Sequence, residues 1–549
     1  MTVEERLLLG KRYEGISPFE FKNELIALAE SKQKKSARAM LNAGRGNPNW
    51  IAATAREAFF ALGQFAVDEA KLTLEAGDLA GMPSRHGVFA RFEVYQAKHR
   101  DRPGMDLLAK IIAYGIHRFA FDPDDWLYEL VDGIIGDHYP VPDRMLRHIE
   151  CVVNAYLMQE LCDNKPPDGR YQLFAVEGAT AAMCYIFQSL LENELLARGD
   201  RVAIMVPIFP PYVEIPHLAE YDFDIVEIHA SATSSNGDHT WQYPADEIDK
   251  LRDPSIRALF LVNPSNPPSV AIDQKTRQHL IDTIKQYNPR LMIITDDVYS
   301  TFVEHFQSLM ADLPYHTIGV YSYSKYFGVT GWRLGVIALH EKNVFDDRLK
   351  HLAETQKKRL NARYSSLTTE PEQLRFIDRM VADSRQVALN HTAGLSTPQQ
   401  VQMALFSVFA MLQEGLAYRD QTREICHKRM RLLYEGLGLP FPNLPNDADY
   451  YTQFDLAEWA VSHYGQGFSD YLTKAYSPVD ILLRLAEQSS IVLLNGGGFY
   501  GPAWSIRVSL ANLADDDYAK IGRALHAALE TYVTEWRAAS GARDDTKIT

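Results

Sequence analysis

The feature that most constrains this chain is an alternation that begins at Tyr171. Short apolar runs lie at Leu173 to Val176, Arg201 to Val206, Phe223 to Ile228, Ala258 to Val262, Leu291 to Thr295 and Thr317 to Tyr321. Stretches with helical periodicity separate several of them, such as residues 271–287. Runs that are apolar at consecutive positions fit strands buried on both faces. Strands alternating with helices predict an α/β fold with a mainly parallel sheet covered on each side. Such sheets bind ligands beyond the carboxyl ends of their strands, so the strand ends are where chemistry is expected.

Those ends carry a consistent set of groups. Gly178-Ala179-Thr180 opens a helix, where unpaired backbone N–H groups suit an anion. Phe209 follows the next strand, and Asn263-Pro264-Ser265-Asn266-Pro267 follows another. Asp296-Asp297-Val298-Tyr299 comes after a further strand, and Lys325 after the one ending at Tyr321. Each is weak alone: an Asp there is often a helix cap, Asn-Pro is a common turn, Phe is usually core and a loop Lys is usually solvated. In order they supply an anion site, an aromatic ring, an amide, a carboxylate and a lysine. Small and hydroxyl residues flank Lys325 within apolar and aromatic surroundings (Tyr321-Ser322-Tyr323-Ser324-Lys325-Tyr326-Phe327-Gly328-Val329-Thr330-Gly331-Trp332-Arg333). A lysine there loses hydration, which favours the neutral amine and Schiff-base chemistry. Ser322 and Arg333 stand where they can take a phosphate beside it.

This order resembles the class I and II aminotransferases, fold-type I enzymes of pyridoxal 5′-phosphate. The strongest matches are Asn-Pro-x-Asn-Pro at 263–267, Asp-Asp-Val-Tyr at 296–299, and Ser-x-Ser-Lys at 322–325 with Arg333 eight residues on. Ser505-Ile506-Arg507-Val508-Ser509 matches the family's C-terminal Arg-x-Ser segment. The resemblance covers roughly residues 40–530. It implies a large domain at 61–414 with helical insertions at about 61–135 and 342–390. It also implies a smaller α+β domain, built from an N-terminal segment (1–60) and the C-terminal residues 415–549.

The resemblance further implies roles. Lys325 bonds covalently to the cofactor, Asp296 pairs with its ring nitrogen, and Asn266 and Tyr299 hydrogen-bond its phenolic oxygen. Phe209 stacks on the ring. Gly178, Ala179, Thr180, Ser322 and Arg333 hold the phosphate. Tyr139 matches a tyrosine that reaches the neighbouring subunit's phosphate, so a homo-oligomer, at least a dimer, is implied. Gly46, with Asn266, lies beside the substrate carboxylate, and Arg507 grips the α-carboxylate, a task suited to a guanidinium fork.

Length separates two reactions. The chain is much longer than ordinary members of the family, with extra material at 52–135, 342–390 and around 455–485. With the loop Gly44-Arg45-Gly46-Asn47-Pro48-Asn49-Trp50, this resembles the bacterial branch that removes the β-carboxylate of L-aspartate, giving L-alanine and CO2. That branch transaminates aspartate as a side reaction and forms cytoplasmic oligomers up to dodecamers. The alternative is an aspartate aminotransferase that uses a 2-oxo acid acceptor. Asn390-His391-Thr392-Ala393-Gly394-Leu395-Ser396-Thr397-Pro398 lacks the arginine with which aspartate aminotransferases meet the distal carboxylate. Arg45 is either a surface arginine or the looser partner of that group.

Composition excludes other classes. A net charge of −15, from 56 basic and 71 acidic residues, argues against nucleic acid or an anionic membrane as partner. No apolar run approaches the ~18 residues of a membrane span. Cys151, Cys162, Cys184 and Cys426 form no C-x-x-C pair, so neither a metal site nor a disulfide framework is expected and a reducing cytoplasm fits.

Overall fold

The computed structural model describes residues 3–13, 16–33, 40–78, 80–235, 237–385, 394–442 and 444–540. Its main sheet has seven strands: β1 (Tyr171–Val176), β2 (Arg201–Val206), β3 (Asp224–His229), β4 (Ile256–Val262), β5 (Met292–Asp296), β6 (Thr317–Ser322) and β7 (Gly335–His340). Their spatial order is β1-β7-β6-β5-β4-β2-β3. Within this sheet β7 runs antiparallel to both neighbours, and the other pairings are parallel. The interior strands β5, β6 and β7 are buried at every position, whereas the edge strand β3 is largely half-buried. This is the burial that continuous apolar runs predict.

Register brings the chemistry together. Val176 at the end of β1 and Ser322 at the end of β6 both pair with Gly335 at the start of β7. The loops after β1 and β6 and the loop before β7 therefore meet at one sheet edge. Asp296, ending β5, pairs with Val262 and Val320, so the β4, β5 and β6 loops open on that same edge.

Residues 52–135 form four helices, Ala53–Glu75, Val88–Lys98, Met105–Phe119 and Pro123–Ile135. They share one hydrophobic core with the sheet. The fourth is capped by the Asp122 carboxylate, which accepts from Asp125 N, and ends at Gly136 with φ 72°. The start of this segment braces the loop after β6. Arg56 donates to the Phe327 and Gly328 carbonyls at 3.3 and 2.7 Å, and Trp50 Nε1 donates to Tyr326 O at 3.1 Å.

A second core joins the N-terminal helix Pro18–Gln33, through Phe21, Leu25 and Ala29, to residues between Met430 and Val533. Beside it lies an antiparallel sheet of β8 (Tyr451–Asp455), β9 (Leu494–Asn495) and β10 (Ser505–Ser509), with β10 central. Ile506 and Val508 enter this second core. Side chains alternate along a strand, so Arg507 between them faces the other way.

Local periodicity predicts a helix over 17–41, a helix from Gly178 to about Ala197 and a strand over Ser489 to Leu494, and the structure corrects all three. Of the helix expected over 17–41, Pro18–Gln33 is helical and residues 34–39 lie outside the described residues, while Leu41–Asn42 is a strand parallel to Ile491–Val492. The helix after Gly178 ends at Glu192 rather than near Ala197. The strand expected over Ser489 to Leu494 is two short pieces. Ile491–Val492 pairs with Leu41–Asn42, and Leu494–Asn495 pairs with β10. The chain thus switches partners at Leu493, and one continuous ladder is impossible. Strand β8 was not expected. Among the described residues no single helix is long and apolar enough to cross a membrane.

Candidate active site

A cavity of about 390 Å³ opens at the strand-end edge, between the sheet and β8–β10. Its walls include Phe19, Gly46, Asn266, Asp296, Lys325, Tyr451 and Arg507. A wider cleft of about 1050 Å³ around Gln242, Asp273 and His279 shares none of its residues.

One corner is built for an anion. Gly178, at φ 88°, leads into the fourteen-residue helix Ala179–Glu192, whose N-terminus has no side-chain cap. The helix therefore presents free N–H groups and the positive end of its dipole. Glycine is required here twice over. Its φ is one that L side chains avoid, and a methyl group on it would sit 2.5 Å from Arg333 Nη2. Arg333 donates to the Thr330 and Glu177 carbonyls, both at 3.0 Å, and has no carboxylate partner among the described residues. Ser322 Oγ lies 3.0 Å from Ser324 Oγ and 3.2 Å from Leu334 O, and its one hydrogen can serve either. Ala179, Thr180 and Thr330 line the same corner.

The floor carries a buried carboxyl. Asp296 is 4% exposed and accepts from Tyr212 Oη at 3.2 Å and Val298 N at 3.3 Å. Burial pushes its pKa up to about 6, against these two donors. Its neighbour Asp297 accepts from Ser308 Oγ at 2.5 Å and Thr295 Oγ1 at 2.7 Å, and burial pushes it up to about 7. Tyr299 Oη donates to Tyr451 Oη at 3.1 Å. Burial first, then Tyr451, holds the Tyr299 phenol well above its ordinary pKa. Lys325 is half-buried rather than dry, and its Nζ donates to Gly46 O at 2.9 Å. Tyr450 Oη donates to the same carbonyl at 2.8 Å. Phe209 lines the wall, edge-on to Phe19 at 5.9 Å.

Opposite stands Arg507, 1% exposed. Nη1 donates to Asn266 Oδ1 at 3.2 Å and Nη2 to Gly44 O at 2.9 Å, while Nε has no partner among the described residues. Its guanidinium lies over Tyr451 and Phe499, 4.3 and 5.0 Å from the ring centroids. No carboxylate pairs with it among the described residues. A buried cation with an unspent N–H is costly unless a ligand completes it.

The structure thus gathers Gly46, Ala179, Thr180, Phe209, Asn266, Asp296, Tyr299, Ser322, Lys325, Arg333 and Arg507 around one cavity, with Gly178 behind Arg333. Two candidates stand apart within the single chain. Arg45 is exposed and does not line the cavity, and Tyr139 is 73% exposed on a loop away from it. Asn390 to Ala393, part of the arginine-free stretch, lie outside the described residues. Sequence reasoning missed Tyr451, Tyr212 and Phe19. Tyr212 comes three residues after Phe209, and its hydroxyl was the available signal. Tyr451 and Phe19 reach the cavity only through long-range packing.

The description "Aminotransferase class I and II" matches residues 165–525. A bifunctional aspartate aminotransferase and L-aspartate beta-decarboxylase of a Pseudomonas species is 48% identical over 525 residues, 95% of this chain and 97% of that protein. A tyrosine aminotransferase of Dictyostelium discoideum is 32% identical over 183 residues, 32% of this chain and 40% of that protein. The solved aspartate aminotransferase of Thermus thermophilus with maleate superposes with a TM-score of 0.56 at 16% identity, covering 92% of this chain and 96% of that one. That of Rhizobium meliloti gives 0.57 at 17% identity, with 94% and 96% covered. These structures share the fold, that of the fold-type I pyridoxal-phosphate enzymes. With most of its length matched by the family description and a relative similar from end to end, the chain belongs to the class I and II aminotransferase family.

Proposed function

We propose that this chain is a pyridoxal 5′-phosphate enzyme that removes the β-carboxylate of L-aspartate, giving L-alanine and CO2, and transaminates aspartate as a second activity. The cavity's residues fit that cofactor. An uncapped helix N-terminus beside an unpaired guanidinium suits a phosphate, a buried carboxyl suits a protonated ring nitrogen, and a half-buried lysine suits an aldehyde. The absence of a side chain at Gly178 lets the Arg333 guanidinium approach the helix N-terminus, since a methyl group there would sit 2.5 Å from Arg333 Nη2.

Gly178, Ala179, Thr180, Ser322 and Arg333 hold the phosphate in this reading. Asp296, ionised by its partner, holds a proton at the ring nitrogen. Asn266 and Tyr299 bond the ring oxygen, and Phe209 covers one face. When bound, the cofactor supplies an electron sink for the pair left on a substrate carbon that loses a proton or CO2. Lys325 bonds to the cofactor at rest and, once freed by substrate, moves a proton at Cα. Arg507 grips the α-carboxylate with its remaining N–H groups, beside Gly46.

Lys22, Arg45 and Arg507 are neighbours. Partial burial and then the charges of Arg45 and Arg507 push the Lys22 ammonium below its ordinary pKa. Three cations close enough to act on one another favour a dianionic substrate, and in this reading Arg45, outside the cavity lining of the single chain, meets its β-carboxylate loosely. A tight pair would oppose loss of CO2, because the carboxylate charge is consumed in the transition state. Tyr139 serves the phosphate of a partner subunit's site, in a homo-oligomer of the cytoplasm. The second core supports joining an N-terminal segment to the C-terminal residues in a smaller domain, but Trp50, Ala52, Ala55 and Ala58 pack in the sheet's core, which favours a boundary before residue 50 over the expected division into 1–60 with 415–549, and 61–414.

The choice of decarboxylation rests on one observation. Similarity to the Pseudomonas bifunctional protein spans 95% of the chain, and so takes in the helices of 53–135 that lie outside the matched family segment. The test is incubation of the purified holoenzyme with L-aspartate alone. Sustained alanine formation supports the reading. A single turnover per site that resumes only on addition of a 2-oxo acid would replace it with the aminotransferase reading.

A further inference from the structure

We propose that Tyr451 is the acid that delivers the proton to Cβ when L-aspartate loses its β-carboxylate; this rests on the decarboxylase reading above. In that step the bond from Cβ to the carboxylate carbon breaks and CO2 leaves. The electron pair left behind forms a new C–H bond at Cβ, so each turnover takes up one proton. Lys325 serves Cα. Cβ lies only about 1.5 Å further along the substrate, so its proton donor must open into the same space.

Tyr451 does so. It is 2% exposed and lines the cavity. A methyl group built on Gly46 would lie 2.4 Å from Tyr451 Oη and 3.3 Å from Lys325 Nζ, so the hydroxyl and the amine flank one point. Tyr299 Oη donates to Tyr451 Oη here, so the Tyr451 hydrogen is unspent, and no acceptor among the described residues takes it. When Tyr299 turns its one hydrogen to the ring oxygen, as proposed above, Tyr451 still keeps its own, with only the Tyr299 oxygen to compete with substrate for it. After transfer, the charge on Tyr451 is met by the Arg507 guanidinium over its ring. The residue stands on a strand, paired with Ser509, and its backbone N–H donates to Ser269 Oγ at 3.0 Å, which holds the backbone that carries the ring. Tyr451 regains its proton from solvent once alanine leaves.

The experiment uses holoenzyme with L-aspartate deuterated stereospecifically at Cβ, in tritiated water, and reads the configuration of the methyl group in the alanine formed. The wild type should give one configuration. Tyr451→Phe should slow alanine formation by about 10²- to 10⁴-fold, the usual worth of a positioned acid, and scramble the methyl. In parallel, the variant's apoprotein should bind pyridoxal 5′-phosphate, and its holoenzyme should bind succinate, within about threefold of wild type. A loss of these affinities that matches the loss of alanine formation would make Tyr451 structural and overturn the proposal. So would an unchanged methyl configuration at near wild-type rate. Tyr451→3-fluorotyrosine keeps the shape of the site and should move the alkaline limb of the alanine-forming pH profile downward; an unmoved limb counts against the proposal. If the wild type itself forms no alanine from aspartate alone, the decarboxylase reading fails and the proposal falls with it. Failure of the proposal alone shows only in the variants.

Discussion

Replacing Arg507 with lysine removes a fork and keeps a charge. In the structure two of the guanidinium's donors are spent on Asn266 Oδ1 and Gly44 O, which leaves Nε and the second hydrogen of each Nη for a ligand. A carboxylate gripped by two such donors keeps at most one with an ammonium. A hydrogen bond to a charged group is worth about 1.5–3 kcal/mol, so Arg507→Lys should raise the KM for L-aspartate by about 10- to 150-fold. The substitution also leaves Gly44 O or Asn266 Oδ1 without its donor, so some loss of stability is expected. Two competitive inhibitors separate these effects. L-Alanine retains the α-carboxylate and should lose affinity by the same factor as aspartate. β-Alanine lacks it and should bind the variant as it binds the wild type. The assay is a spectrophotometric titration of the holoenzyme with each ligand, with urea midpoints as a stability control. Equal losses for both inhibitors, or none for L-alanine, would refute the assignment of Arg507 to the α-carboxylate.

Gly178→Ala places a methyl group 2.5 Å from Arg333 Nη2 and forces an L residue to φ 88°. At about 1–3 kcal/mol of strain, the apoprotein's affinity for pyridoxal 5′-phosphate should fall by roughly 10- to 100-fold, read by absorbance titration; an unchanged affinity would exclude this corner as the phosphate site. Lys325→Ala should slow exchange of the aspartate Cα hydrogen in D2O by about 10²-fold or more, followed by NMR, and wild-type exchange would assign that proton elsewhere. Asp297 is raised by burial to about 7, so the folded state holds its proton more tightly than the unfolded chain does. Its stabilising contribution is present below about pH 4 and is lost as pH rises through about 7, up to a few kcal/mol. The apoprotein of Asp297→Asn should therefore gain stability relative to wild type between pH 4 and 8 in urea unfolding. A relative loss over that range would contradict the argument.

The parallel sheet was legible because strands buried on both faces carry apolar side chains at every position, as β5 and β6 do. The residues at their ends were legible because carboxylate, lysine and glycine are informative at those places whatever surrounds them. What escaped is set by long-range pairing. Strand β8, Tyr-Thr-Gln-Phe-Asp, has no clear apolar run, and it becomes a strand by pairing with β10 some fifty residues on. Tyr451 reaches the cavity through that pairing. The continuous strand expected near residue 490 failed for a related reason: its two halves answer to partners hundreds of residues apart in sequence, Leu41–Asn42 and β10. Arg45 and Tyr139 sit on exposed loops outside the cavity lining, and no packing within the described chain assigns them a partner group.

The central claim is that the β-carboxyl carbon of aspartate leaves as CO2 while nitrogen and Cα stay together in the product. Continuous ¹³C NMR of the holoenzyme with [4-¹³C]-L-aspartate and no 2-oxo acid tests it most directly. The account predicts that label passes into CO2 and bicarbonate over many turnovers, with equimolar unlabelled L-alanine. Label held in a four-carbon 2-oxo acid, with the reaction stopping after one equivalent per site, would contradict it.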